Sequence, residues 1–116
     1  MNNEEMDVLQ SADDYLYNLK NGILKLVELM QEEKEQEAIL LIPDISDGID
    51  WIVKVVNLTK DVQKEHIEID NINEHLETVI EALNNEDYIL TGDIFNYEIL
   101  PILDKVHNGI RLIIAN

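Results

Sequence analysis

The spacing of apolar residues constrains this chain more than any other feature. Leu9, Ala12, Leu16, Leu19, Ile23, Leu26 and Met30 step by 3, 4, 3, 4, 3 and 4. A 3.6-residue period puts such positions on one face, so the segment reads as an amphipathic helix. Tyr15, Val27 and Leu29 widen that face. Ser11 before Ala12-Asp13-Asp14 offers a hydroxyl cap followed by acids near the positive end of the helix dipole. The pattern predicts helix 1 over about residues 11–32, with residues 1–10 partly disordered. The charged run Glu32 to Gln36 is short enough to return the chain antiparallel.

The same stepping continues. Ala38, Ile42, Ile45, Ile49, Ile52 and Val56 keep phase straight across Pro43. Proline lacks the N–H and clashes with the preceding turn. An unbroken phase predicts one kinked helix over about 36–60; two helices, with Pro43 in the first turn of the second, are the alternative. Helix 3 is expected to carry Ile69, Ile72, Leu76, Val79 and Leu83 and to end near Asn84 and Asn85. Helix 4 is expected from about Asp87, with Ile94 or Phe95, then Ile99, Ile102, Val106, Ile110 and Ile113 on its face and a second kink at Pro101. Its end is open between Asn108-Gly109 and Ile114. The expected fold is therefore all-α: a four-helix antiparallel up-down bundle in one domain over 1–116, with helices 2 and 4 kinked at Pro43 and Pro101. Gly22, Gly48 and Gly109 each precede a core-phase Ile, where a small residue lets helices approach closely.

Charge narrows the partners. The chain carries 25 acids against 8 Lys and Arg, a net charge of −17, and eleven acids but no Lys or Arg lie between Glu65 and Asp104. Such a surface repels phosphate backbones and anionic headgroups, so nucleic acid and membranes are not expected partners; a protein with a basic segment is. With no cysteine, no disulfide or thiolate chemistry is available. Met1 to Gln10 has neither a basic nor an apolar stretch of the kind a secretory signal needs, and no apolar run is long enough to span a bilayer. A cytoplasmic setting is the simplest expectation.

Motifs for chemistry are sparse. A di-metal carboxylate bundle needs two Glu-x-x-His motifs, yet the residues three before His66, His75 and His107 are Gln63, Ile72 and Asp104. The histidines read as solvated or bundle-edge. Asp44, Asp47 and Asp50 surround Gly48 at spacings of three, which suits one helical face and not a calcium loop. Some all-α nucleotide pyrophosphohydrolases hold Mg²⁺ with an E-x-x-E pair and a later E-x-x-D pair. Glu32-x-x-Glu35 before Asp47-x-x-Asp50, and Glu74-x-x-Glu77 before Asp93-x-x-Asn96, come near that pattern without matching it. Ser11 and Ser46 are the only serines, and there is no phosphate-binding glycine loop. A Mg²⁺-dependent enzyme of that kind is the alternative reading; the leading one has no cofactor, no metal and no catalytic residue.

Two features suit binding better. Asp70, Glu74, Glu77 and Glu81 step 4, 3, 4 beside the helix 3 core stripe, forming an acidic ridge. Like charges at this spacing cost a helix a few tenths of a kcal/mol per pair, so the ridge does not serve helix stability. The block Glu86 to Pro101 holds Tyr88, Asp93 and Tyr97 together with Gly92 and Pro101, two helix-destabilising residues close together. Candidate partner-binding residues are therefore Asp70, Glu74, Glu77, Glu81, Tyr88, Asp93 and Tyr97. The C-terminal Ile110, Leu112, Ile113 and Ile114 cover more than one helix face and suit either burial or a homodimer.

The run EDYILTGDIFNYEILPIL, with Gly48-Ile49-Asp50-Trp51 after Leu41-Ile42-Pro43, resembles an uncharacterised family of small acidic all-helical proteins of low-GC bacteria. The resemblance covers roughly residues 15–104. It implies a helical fold and, for some members, genes beside motility genes. It implies no activity or cofactor and carries over no site residue. The expected function is a non-enzymatic interaction, adaptor or chaperone-like bundle.

Overall fold

The computed structural model describes residues 3–115. Its helices are α1 (Asn3–Gln31), α2 (Glu35–Leu58), α3 (Ile72–Asn84), α4 (Tyr88–Ile94) and α5 (Leu100–Ile114). A 3-10 turn (Lys60–Val62) follows α2, and a π-turn (Phe95–Ile99) joins α4 to α5 without a loop. The fold is an all-α bundle, with no strand among the described residues. α1 runs up and α2 returns down. The stretch 63–71 and α3 together form the third rod, and α4, the π-turn and α5 form the fourth. His107 of the fourth rod meets Asp13, and Gly92 lies beside Met30, which fixes that rod antiparallel to α1.

α1 begins eight residues earlier than expected. Ser11 is exposed in mid-helix and caps nothing, and residues 3–10 are helical; Met1 and Asn2 lie outside the described residues. The cause is Leu9, fully buried about two turns before Leu16, which extends the apolar stripe toward the N-terminus. Glu4 and Glu5 then occupy the first turn, where the dipole favours acids. All seven residues of the α1 stripe are buried.

α1 and α3 end in the same way. Glu33 and Glu86 adopt positive φ, 60° and 55°. At each end the next amide bonds five residues back, Lys34 N to Leu29 O at 2.8 Å and Asp87 N to Ala82 O at 2.8 Å. These are Schellman closures, usually made with glycine; a side chain in this region costs about 1–2 kcal/mol. Asn84 and Asn85 do not supply the left-handed residue; Glu86 does. Asp87 then starts α4 at once, its carboxylate accepting from Leu90 N at 3.1 Å.

The third rod departs most from expectation. Ile69 is not helical. Ile67 and Ile69 are buried while Glu68 and Asp70 are exposed, the two-residue alternation of an extended strand. Gln63 ties this stretch to α2: its Nε2 donates to Val56 O at 2.9 Å, and its Oε1 accepts from Ile67 N at 3.0 Å. One side chain thus adds a second bond to a last-turn carbonyl of α2, which Thr59 N also reaches at 3.3 Å, and satisfies a loop amide.

The prolines act differently from each other. α2 is helical without interruption across exposed Pro43. Before Pro101 the chain widens into the π-turn, with Leu100 N donating to Phe95 O. In a regular α-turn a proline ring at 101 would press on the Tyr97 carbonyl; a wider turn relieves that clash. The extra residue also shifts the buried stripe. Leu103 is fully buried where Ile102 was expected, and Ile102 is half-buried. α5 continues to Ile114, past Asn108 and Gly109.

Candidate functional site

The acidic ridge is present in part. Glu74, Glu77 and Glu81 are exposed on α3, and among the described residues no ion pair reaches any of them. Asp70 is exposed too, but it lies in the turn before α3 and so outside the helical ridge. Ile80, one turn on from Glu77 at the edge of this acidic face, is 58 % exposed. On the neighbouring rod Tyr97 is 68 % exposed and Glu98 reaches His75 of α3 at 3.9 Å. Tyr88 is half-buried at the start of α4. Asp93 instead faces the seam with α1, where it lines a small depression with Val27, Met30 and Ile89. The predicted residues therefore divide between two seams.

The near-matching carboxylate pairs do not assemble: among the described residues no three of His, Asp and Glu converge as a metal-holding group. The C-terminal apolar residues also divide. Ile110 and Ile113 are core, Ile114 is half-buried, and Leu112 is exposed.

Two clusters were invisible along the chain. The first is polar and crosses the α1–α5 seam. His107 is 0 % exposed, not solvated as its sequence context suggested. Its Nε2 lies 3.0 Å from Asp13 Oδ1, and its Nδ1 is buried with no hydrogen-bond partner. The carboxylate accepts, so Nε2 carries the proton and Nδ1 keeps its lone pair. Tyr17 packs edge-on against the imidazole at 4.5 Å between ring centres, and Arg111 lies over Tyr17, bonds its hydroxyl and approaches Asp13 at 3.5 Å. Lys20 pairs with Asp104 at 3.0 Å. Burial, then the charges of Lys20 and Arg111, hold the imidazole below its ordinary value; Asp13 pulls the other way.

The second cluster lies on the outer side of the α1–α2 hairpin. Tyr15 and Trp51 meet at 87°, with ring centres 5.6 Å apart. Gly48 lies beneath them, so close that an added Cβ would strike the Tyr15 phenol and sit 3.1 Å from Leu19. Ser11, Asp44 and Asp47 complete an open groove of about 580 Å³. The glycine-before-isoleucine pattern marked Gly48 as a close approach, and Gly109 likewise, since an added Cβ there would lie 2.8 Å from Ile67. At Gly22 the nearest atom is an ordinary 3.9 Å away.

An all-helical bundle with exposed acidic faces is the class these features define. The chain belongs to the family of the Domain of unknown function (DUF8042), whose model matches residues 7–109. No curated protein and no solved structure matches it. Among the described residues no helix is long and apolar enough to cross a membrane.

Proposed function

We propose that this protein is a non-enzymatic interaction module whose α3 face docks a basic segment of another protein. The observation that carries the reading is the unpaired state of Glu74, Glu77 and Glu81 among the described residues, with exposed Ile80 beside them. Three carboxylates on one helix face repel one another at a small cost to the helix. A basic partner relieves that repulsion, and Ile80 offers apolar contact at its edge. Association of this kind is fast and weakens with salt. Tyr97 extends the surface toward the fourth rod. Chaperone-like or adaptor use fits the same face, in a cytoplasmic setting. A homodimer through the C-terminal end would draw on Leu112 and Ile114, since Ile110 and Ile113 are already core. The resemblance to proteins encoded beside motility genes makes motility components the first partners to try.

The test is capture of partners from native lysate by the wild-type chain and by the triple variant E74K/E77K/E81K. All three sites are exposed, so the variant should fold. A captured partner should be lost with the variant, by about tenfold or more in affinity. A partner held equally well by both proteins would end the ridge reading.

A further inference from the structure

We infer that the groove on the α1–α2 hairpin is a second binding site, built to seat an arginine or lysine side chain from a basic segment of a partner protein. It is separate from the α3 face and does not depend on it.

The aromatic corner is the first element of the site. Tyr15 and Trp51 stand nearly perpendicular and form two walls, not a stack. Trp51 keeps 37 % of its surface exposed, and Tyr15 is half-buried beside the core. A large indole on the outside of a helix forgoes burial that the core could have given it. Aromatic faces at such a corner attract a cation through the ring quadrupole, more strongly as water is excluded.

Charge supplies the second element. Asp44 and Asp47 are exposed on α2, three residues apart, and both line the groove. Neither has an ion-pair partner among the described residues, whereas the neighbouring Asp50 is paired with Lys54 at 3.0 Å. The carboxylates beside the aromatic corner are thus the ones left open. An incoming guanidinium could fork between a carboxylate and a ring face, which suits arginine better than lysine.

Shape supplies the third. Gly48 is the floor, and any side chain there would push Tyr15 out of the groove. Beyond Tyr15 and Asp44 the groove continues into an apolar pit of about 150 Å³ over Leu19, Gly22, Leu41 and Ile45. A cation site therefore lies next to a pocket of aliphatic size. The complement is a segment carrying a basic residue with a small aliphatic one nearby. A chain with a net charge of −17 would also steer such a segment toward itself.

The probe is N-acetyl-arginine amide, followed by amide and indole chemical shifts of isotope-labelled full-length protein. The expected result is saturable shifts at Trp51 Nε1 and at Asp47 and Gly48, with an affinity on the order of 1–20 mM. N-acetyl-norleucine amide, of similar length but neutral, should produce none. The variant D44N/D47N, altered only at exposed sites, should weaken arginine binding by about fivefold or more, as should W51L. The ridge variant E74K/E77K/E81K should leave these shifts in place, so failure of the α3 reading and failure of this one are separable. The inference is overturned by absence of saturation, by equal shifts with the neutral amide, or by shifts confined to the α3 acids. Choline binding at the corner without arginine binding would assign the site to a small quaternary amine and likewise overturn it.

Discussion

Replacing Phe95 with alanine should destabilise the protein by about 3–5 kcal/mol. Phe95 is the largest fully buried side chain and sits in the π-turn between α4 and α5. Truncation loses the transfer energy of the ring and leaves a cavity that the packed rods can close only in part. A domain of this size is stable by roughly 5–15 kcal/mol, so the loss is a large share of the total. With a urea slope of about 1.5 kcal/mol per M, the unfolding midpoint should fall by about 2–3 M. The I80A variant, on an exposed site, should move it by less than about 0.5 M. A change below about 1 kcal/mol for Phe95→Ala would mean that the π-turn does not hold Phe95 in the core.

The second large effect is a dependence on pH that His107 imposes. Its folded-state value is depressed, by burial first and then by Lys20 and Arg111. Protonation would add an N–H at Nδ1, where no acceptor waits, while Asp13 already accepts from Nε2. In the unfolded chain the imidazole takes up a proton near its ordinary value of 6.5. Above that value both states are neutral and the contribution is fully present. As pH falls, the unfolded state binds the proton first, and stability drops until the folded-state value is passed. The abundant acids respond to the same change, because lowering pH relieves their mutual repulsion. A difference between two proteins removes that background. Wild type should therefore lose stability relative to His107→Gln as pH falls through the ordinary imidazole value of 6.5. Glutamine can still donate to Asp13 and does not titrate. A flat difference would show that the buried imidazole is not linked to folding, and one of opposite slope that folding raises its value instead of depressing it.

The architecture was legible because burial in a bundle follows local phase. Every member of the α1 stripe, from Leu9 to Met30, is core, and so are Ala38, Ile45, Ile49, Ile52 and Val56 of α2. Where phase changed, the reading slipped. Phe95, Ile99 and Leu103 are buried at two consecutive steps of four, which is how an added π residue shows itself in a sequence. Ile67 and Ile69 belong to a period of two, and a helical template that took in Ile69 moved the start of α3 three residues too early. The binding features were less legible, since they depend on how rods rotate against one another. Asp13 and His107 are 94 residues apart, as are Tyr17 and Arg111. Nothing local in the chain announces that an aspartate on one helix will receive a histidine from another. Trp51 meets Tyr15 only because glycine at 48 lets α2 come close to α1.

The extended half of the third rod makes the molecule's resistance to opening uneven. Residues 63–71 cover the lower part of the bundle through Ile67, Ile69 and the single Gln63 strap, with no helical ladder of their own. They can lift away while the amides of α1 and α5 stay protected, exposing the Gly109 side of α5 and little else. Exchange of amide hydrogens with solvent would then proceed in two tiers. The fast tier would be a strip nine residues long, bounded by Gln63 and Asn71, that opens without unfolding the protein.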